Sequence, residues 1–67
     1  MPTQAFMRVL LNTNCREDTV KAIVQMFWNQ PEKMDRLVEY LKEYPDASES
    51  EILKQAVFID KLDIPLI

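Results

Sequence analysis

Cys15, next to Arg16, is the residue of this chain best suited to covalent chemistry. A thiol reacts as its thiolate, and a neighbouring cation or a helix N-terminus lowers its pKa. No histidine is present to serve as a base, and the plainer reading of Cys15 is a small, partly buried side chain. It is the only cysteine, which excludes a disulfide within the chain and points to a free thiol in a reducing compartment. The lack of histidine also removes most zinc sites. The lack of glycine removes the loops that cradle phosphate in nucleotide-binding proteins. The eleven acidic residues are spread over helical faces, with no loop of the calcium-binding kind. With neither a nucleophile–base pair nor a metal constellation, the chain is read as non-enzymatic and without a cofactor.

Sixty-seven residues allow a single small domain, 1–67. A core of that size is marginal by itself, and such chains lean on a partner when disulfides and metals are excluded. The net charge of −3 is unevenly placed. Residues 1–30 hold Arg8, Arg16 and Lys21 against Glu17 and Asp18, for +1, and residues 31–67 come to −4. Charge interrupts every apolar run, so neither a signal peptide nor a membrane span is expected, and a cytoplasmic location is the default.

The elements that must position any site fall in order along the chain. Residues 1–14 hold one apolar run, Ala5 to Leu11, closed by Asn12-Thr13-Asn14; this suits a short strand or an ordered arm. A strand there needs a second chain or the tail 63–67 to pair with, and Pro65 would confine that tail to an edge. Residues 20–28 admit two readings. As a helix, Val20, Ile23, Val24, Phe27 and Trp28 share a face. Asn14 and Glu17 would then form its capping pair. As a strand, Val20, Ala22, Val24, Met26 and Trp28 alternate inward, and the β-branched and aromatic content favours this.

Residues 31–43 are predicted helical. Pro31 stands at the first position, with Asn29 or Gln30 as cap, and Met34, Leu37, Val38 and Leu41 form the apolar stripe. Tyr44-Pro45 ends it. Residues 47–62 form the next helix, opened by Ser48 as N-cap with Glu51 completing a capping box. Phe58 lies off the main stripe, where an aromatic ring either marks a partner surface or adds to the core.

The pair of helices joined at Tyr44-Pro45-Asp46 resembles the helical half of ribbon-helix-helix DNA-binding proteins, the Arc, CopG and MetJ class. The residues that carry the likeness are Pro31-Glu32 with Met34, Leu37, Val38 and Leu41, and Ser50-Glu51-Ile52-Leu53 with Ala56, within residues 22–62. The resemblance implies a mainly α fold with one short β-strand, assembled as a homodimer. It implies that Trp28, Met34, Leu37, Leu41, Ile52, Leu53 and Val57 are buried in the core or on dimerisation. It implies a DNA-binding regulator, a repressor or an antitoxin with a cognate toxin. A strand pair would enter the major groove, with Gln25 reading adenine and Lys21 and Asn29 beside it. Ser48 and Ser50 would meet phosphate.

A second expectation stands beside this one. If residues 16–28 are helical, the chain is a three-helix domain with an N-terminal strand or arm, and its surface is dominated by Glu32, Asp35, Glu39, Glu43, Glu49 and Asp60. Such a protein would be an inhibitor or adaptor for a basic protein, with Phe58 as its apolar anchor.

Overall fold

The computed structural model describes residues 1–62. It contains four helices, α1 (Thr3–Leu11), α2 (Glu17–Met26), α3 (Pro31–Glu43) and α4 (Glu49–Asp60). There is no β-strand among the described residues. The expected short strand, and with it the ribbon-helix-helix homodimer fold, is therefore overturned. The three-helix alternative with an N-terminal strand or arm is corrected too, because its arm is a fourth helix. The tail 63–67, expected as a strand partner, lies outside the described residues.

The apolar run at the start is helical, with its two buried side chains covered by α2 and α3. Phe6 and Leu10 stand one helical turn apart and are both fully buried. Thr13 ends α1 by donating its hydroxyl to the Leu10 carbonyl, one of the acceptors a helix end leaves unpaired. The helical reading of residues 20–28 holds as far as Met26, where α2 ends; Trp28, expected on its apolar face, is exposed in the turn that follows. Val20, Ile23 and Val24 face the core, and Phe27 follows at the C-cap.

The α2 start is not capped by the Asn14–Glu17 pair. Arg16 is the N-cap residue, and its backbone N–H donates to Glu49 Oε2 of α4 at 2.7 Å. Asn14 instead donates its side-chain amide to the Ala47 carbonyl at 2.9 Å. Asn29, in the α2–α3 connection, has φ 60°. Asparagine tolerates this left-handed conformation better than most residues.

α3 starts on Pro31 and ends before Tyr44, as the sequence predicts. α4 begins later than residue 47. Ser48 is its N-cap and accepts from the Glu51 N–H at 3.1 Å, while the Ser48 N–H donates to Glu51 Oε1 at 3.0 Å. Both halves of the capping box are made.

The chain forms two helical hairpins. α1 packs on α2 and α3, and α4 packs on α3 and α2. Between them lies one core, in which Phe6, Phe27, Met34, Leu37, Ile52 and Ile59 are all nearly or wholly out of solvent. The Phe6 and Phe27 rings sit 5.9 Å apart, centroid to centroid, tilted by 41°. Burying the large apolar side chains of such a core contributes about 1.5–3 kcal/mol each. No described helix is long and apolar enough to cross a membrane.

Candidate functional site

α3 and α4 run antiparallel, because a short turn joins them and the start of α3 meets the end of α4. Lys33 Nζ donates to the Asp60 carbonyl at 2.7 Å and lies 3.7 Å from its carboxylate. A cation on the last carbonyls of a helix suits the negative end of the helix dipole. This contact fixes one end of the hairpin. At the other end Glu49 ties α4 to α2, with Arg16 Nε 3.3 Å from Glu49 Oε1.

Between these ties, α3 and α4 leave an open groove on the outer surface. One stretch, of about 270 Å³, is lined by Arg36, Glu39, Tyr40, Gln55, Phe58 and Leu62, among others. A second stretch, of about 330 Å³, shares Glu43 with the first and adds Tyr44, Asp46 and Glu51. The Tyr40 and Tyr44 rings are 5.0 Å apart and connect the two stretches. Phe58 is 58 % exposed and Tyr44 53 %. The groove is therefore lined by aromatic rings, with acidic residues along most of its length and Arg36 near one end.

Helical periodicity explains why these rings are outside. Ile52, Ala56 and Ile59 take the buried face of α4. Phe58 falls roughly 100° from Ile59 and about 200° from Ala56, at 3.6 residues per turn. Tyr40 stands beside the Leu37–Leu41 stripe of α3 and is only partly buried, whereas Tyr44 is the C-cap residue just past the helix.

Two carboxylates at the start of α4 are held below the ordinary carboxylate range. For Glu49 the main cause is the hydrogen bond from the Arg16 backbone, helped by the Arg16 charge. For Glu51 it is the hydrogen bond from the Ser48 backbone. Both stay ionised at neutral pH and keep this end of α4 negative. Among the described residues no group of three His, Cys, Asp or Glu side chains could hold a metal ion. Cys15 is a half-buried free thiol packed against the core.

The expected DNA-reading residues are not brought together on a ribbon, because residues 17–26 are helical. Lys21 sits on the exposed side of α2, 3.5 Å from Glu17, and Gln25 is exposed one turn later. Asn29 occupies the left-handed turn. Ser48 is an N-cap, and Ser50 lies in the first turn of α4 between two glutamates.

Of the residues expected in a core or dimer interface, Met34, Leu37, Leu41 and Ile52 are in the core. Trp28, at 59 % exposure, and Leu53 and Val57, at 38 % each, are outside it. Tyr40 and Tyr44 are the groove residues that sequence reasoning missed. Tyr40 is marked only by its place at the edge of the α3 stripe, and Tyr44 by its place at the α3 C-cap. Compared with family models, curated proteins and solved structures, the chain matches none.

Proposed function

We propose that this chain is a non-catalytic interaction protein whose α3–α4 groove docks a basic, amphipathic segment of a partner protein. The observation that carries the reading is Phe58, exposed on α4 beside Tyr40 in a groove bordered by Glu39 and Glu43. Exposed aromatic rings act as anchors when a partner covers them, and they supply a large share of interface energy. The surrounding carboxylates select cationic partners and speed their approach more than they add affinity. A cytoplasmic setting suits the single free thiol.

A nucleic-acid role has less support. Ser48 and Ser50, the residues expected to meet phosphate, lie beside the ionised Glu49 and Glu51. Those charges repel a polyanion.

The test uses a fluorescent peptide with lysine and leucine at helical spacing, titrated with the protein at low and high salt. The wild type binds, and binding weakens as salt rises. Phe58→Ala and Glu43→Lys lose it while keeping helical circular dichroism. A peptide of the same composition with the spacing scrambled binds more weakly. Equal binding of both peptides, or full binding by Phe58→Ala, contradicts the groove as the docking site.

A further inference from the structure

We infer that the segment docked in the α3–α4 groove is bipolar: cations at one end of its contact face, and at the other a carboxylate that Arg36 selects. This deepens the reading of the groove as a docking surface and rests on it. The charge of the groove is not uniform. Glu43, Asp46 and Glu51 gather where α3 ends, with no cation among the described lining residues of that stretch. The other stretch holds Arg36, the one cation among the described residues lining the groove.

The helix dipoles do not blur this pattern. α3 and α4 are antiparallel, so at each end of the groove the positive terminus of one helix lies beside the negative terminus of the other. The two offset each other, and side chains set the field. Arg36 and Glu43 stand roughly 10 Å apart along α3, at about 1.5 Å per residue. That exceeds the screening length of about 8 Å at physiological salt. An incoming segment therefore meets two subsites of opposite sign instead of one averaged charge.

Of the two cations near that end of α3, only Arg36 is available to a partner. Lys33 is largely buried and spends its ammonium on the Asp60 carbonyl and carboxylate. Arg36 is exposed and in no ion pair among the described residues. A guanidinium grips a carboxylate with two parallel hydrogen bonds, a geometry that an ammonium lacks. Tyr40 and Phe58 lie in the stretch that holds Arg36 and ask for apolar cover. A helical partner answers all three demands on one face, with a cation, an apolar pair one turn on, and a carboxylate one turn further.

Two helical peptides of identical composition test this. Both carry lysine at one end of the contact face and leucines in its middle. In the first, a glutamate takes the far end of that face. In the second, this glutamate exchanges places with an outward-facing glutamine, so net charge and apolar content are the same. The wild type binds the first peptide about two- to fivefold more tightly, the range of one exposed charge pair. Arg36→Gln removes the preference and Arg36→Glu reverses it. Arg36 is exposed, and circular dichroism checks that both variants stay helical. High salt removes the preference as well. A paramagnetic label at the lysine end of the first peptide broadens the amide signals of Asp46 and Glu51. A label at its glutamate end broadens those of Arg36 and Leu62.

The outcomes separate this inference from the docking reading. If the wild type binds both peptides equally and Phe58→Ala still loses them, the groove docks partners without reading a carboxylate. The inference alone is then overturned. A preference that survives Arg36→Gln, or labels that broaden the opposite ends, overturns it too. If the wild type binds neither these peptides nor the lysine–leucine peptide, the docking reading falls and takes the inference with it.

Discussion

The two hairpins supply different aromatic sets, one to the core and one to the groove, while Trp28, exposed in the turn after α2, belongs to neither. Phe6 and Phe27 come from the α1–α2 half, and both rings are fully buried against each other. Tyr40, Tyr44 and Phe58 come from the α3–α4 half, and they line an outer groove. The capping differs too. α1, α2 and α3 all lack a side-chain cap, but α3 starts on Pro31 and α4 on a complete capping box. The first hairpin depends on packing and on Glu49 reaching over from α4. The second is specified by local sequence, which leaves its rings free to serve a surface. Aromatic content alone does not separate core from interface; the helical position of each ring does.

The largest effect is expected from Phe27→Ala. Removing a fully buried ring that packs on Phe6 should cost about 3–5 kcal/mol. In a chain this small that is enough to abolish the folded state or lower its urea midpoint sharply. A loss below 1 kcal/mol would mean that the first hairpin is not the packed half.

Next in size is Asn29→Val. A β-branched residue at φ 60° should lose about 1–2 kcal/mol, whereas Asn29→Gly should be close to neutral in the same denaturation series. Ser48→Ala follows, at about 1 kcal/mol, since it breaks the α4 capping box. Amide exchange should then rise at the start of α4 and leave α1 unchanged. Uniform loss of protection in both hairpins would contradict the local specification of α4.

Acidification sharpens the same contrast. Glu49 and Glu51 have folded pKa values below their unfolded ones. Between the two values the unfolded chain binds more protons, so stability rises with pH there. Their contribution is present above the ordinary carboxylate range and is lost as pH falls through the lowered folded values. Thermal melts across this range should show a decline that is smaller in Glu49→Gln, which no longer has the titrating group. An unchanged slope in that variant would show that the Arg16–Glu49 tie adds nothing.

Much of α3–α4 was legible in the sequence because its signals are local. Pro31, Tyr44-Pro45 and Ser48 with Glu51 each act within about one turn of the chain, and the stripe from Met34 to Leu41 within about two. α1 was not legible, since the short run from Ala5 to Leu11 fits either period. Phe6 and Leu10 choose the helix only when α2 and α3 are there to cover them. The cap of α2 could not be read either, because its acceptor is Glu49, 33 residues away. Half of the groove was visible: Phe58 stood out from the α4 stripe. Tyr40 had no role in the sequence reading and Tyr44 only ended α3; neither marks a groove until α4 lies beside α3.

The most direct test of the central claim sets Phe58→Ala beside Phe27→Ala. The account predicts that Phe58→Ala unfolds within about 0.5 kcal/mol of the wild type, as an exposed position should, yet no longer binds the lysine–leucine peptide. If Phe58→Ala instead unfolds as readily as Phe27→Ala, Phe58 belongs to the core. The α3–α4 groove is then not a docking surface.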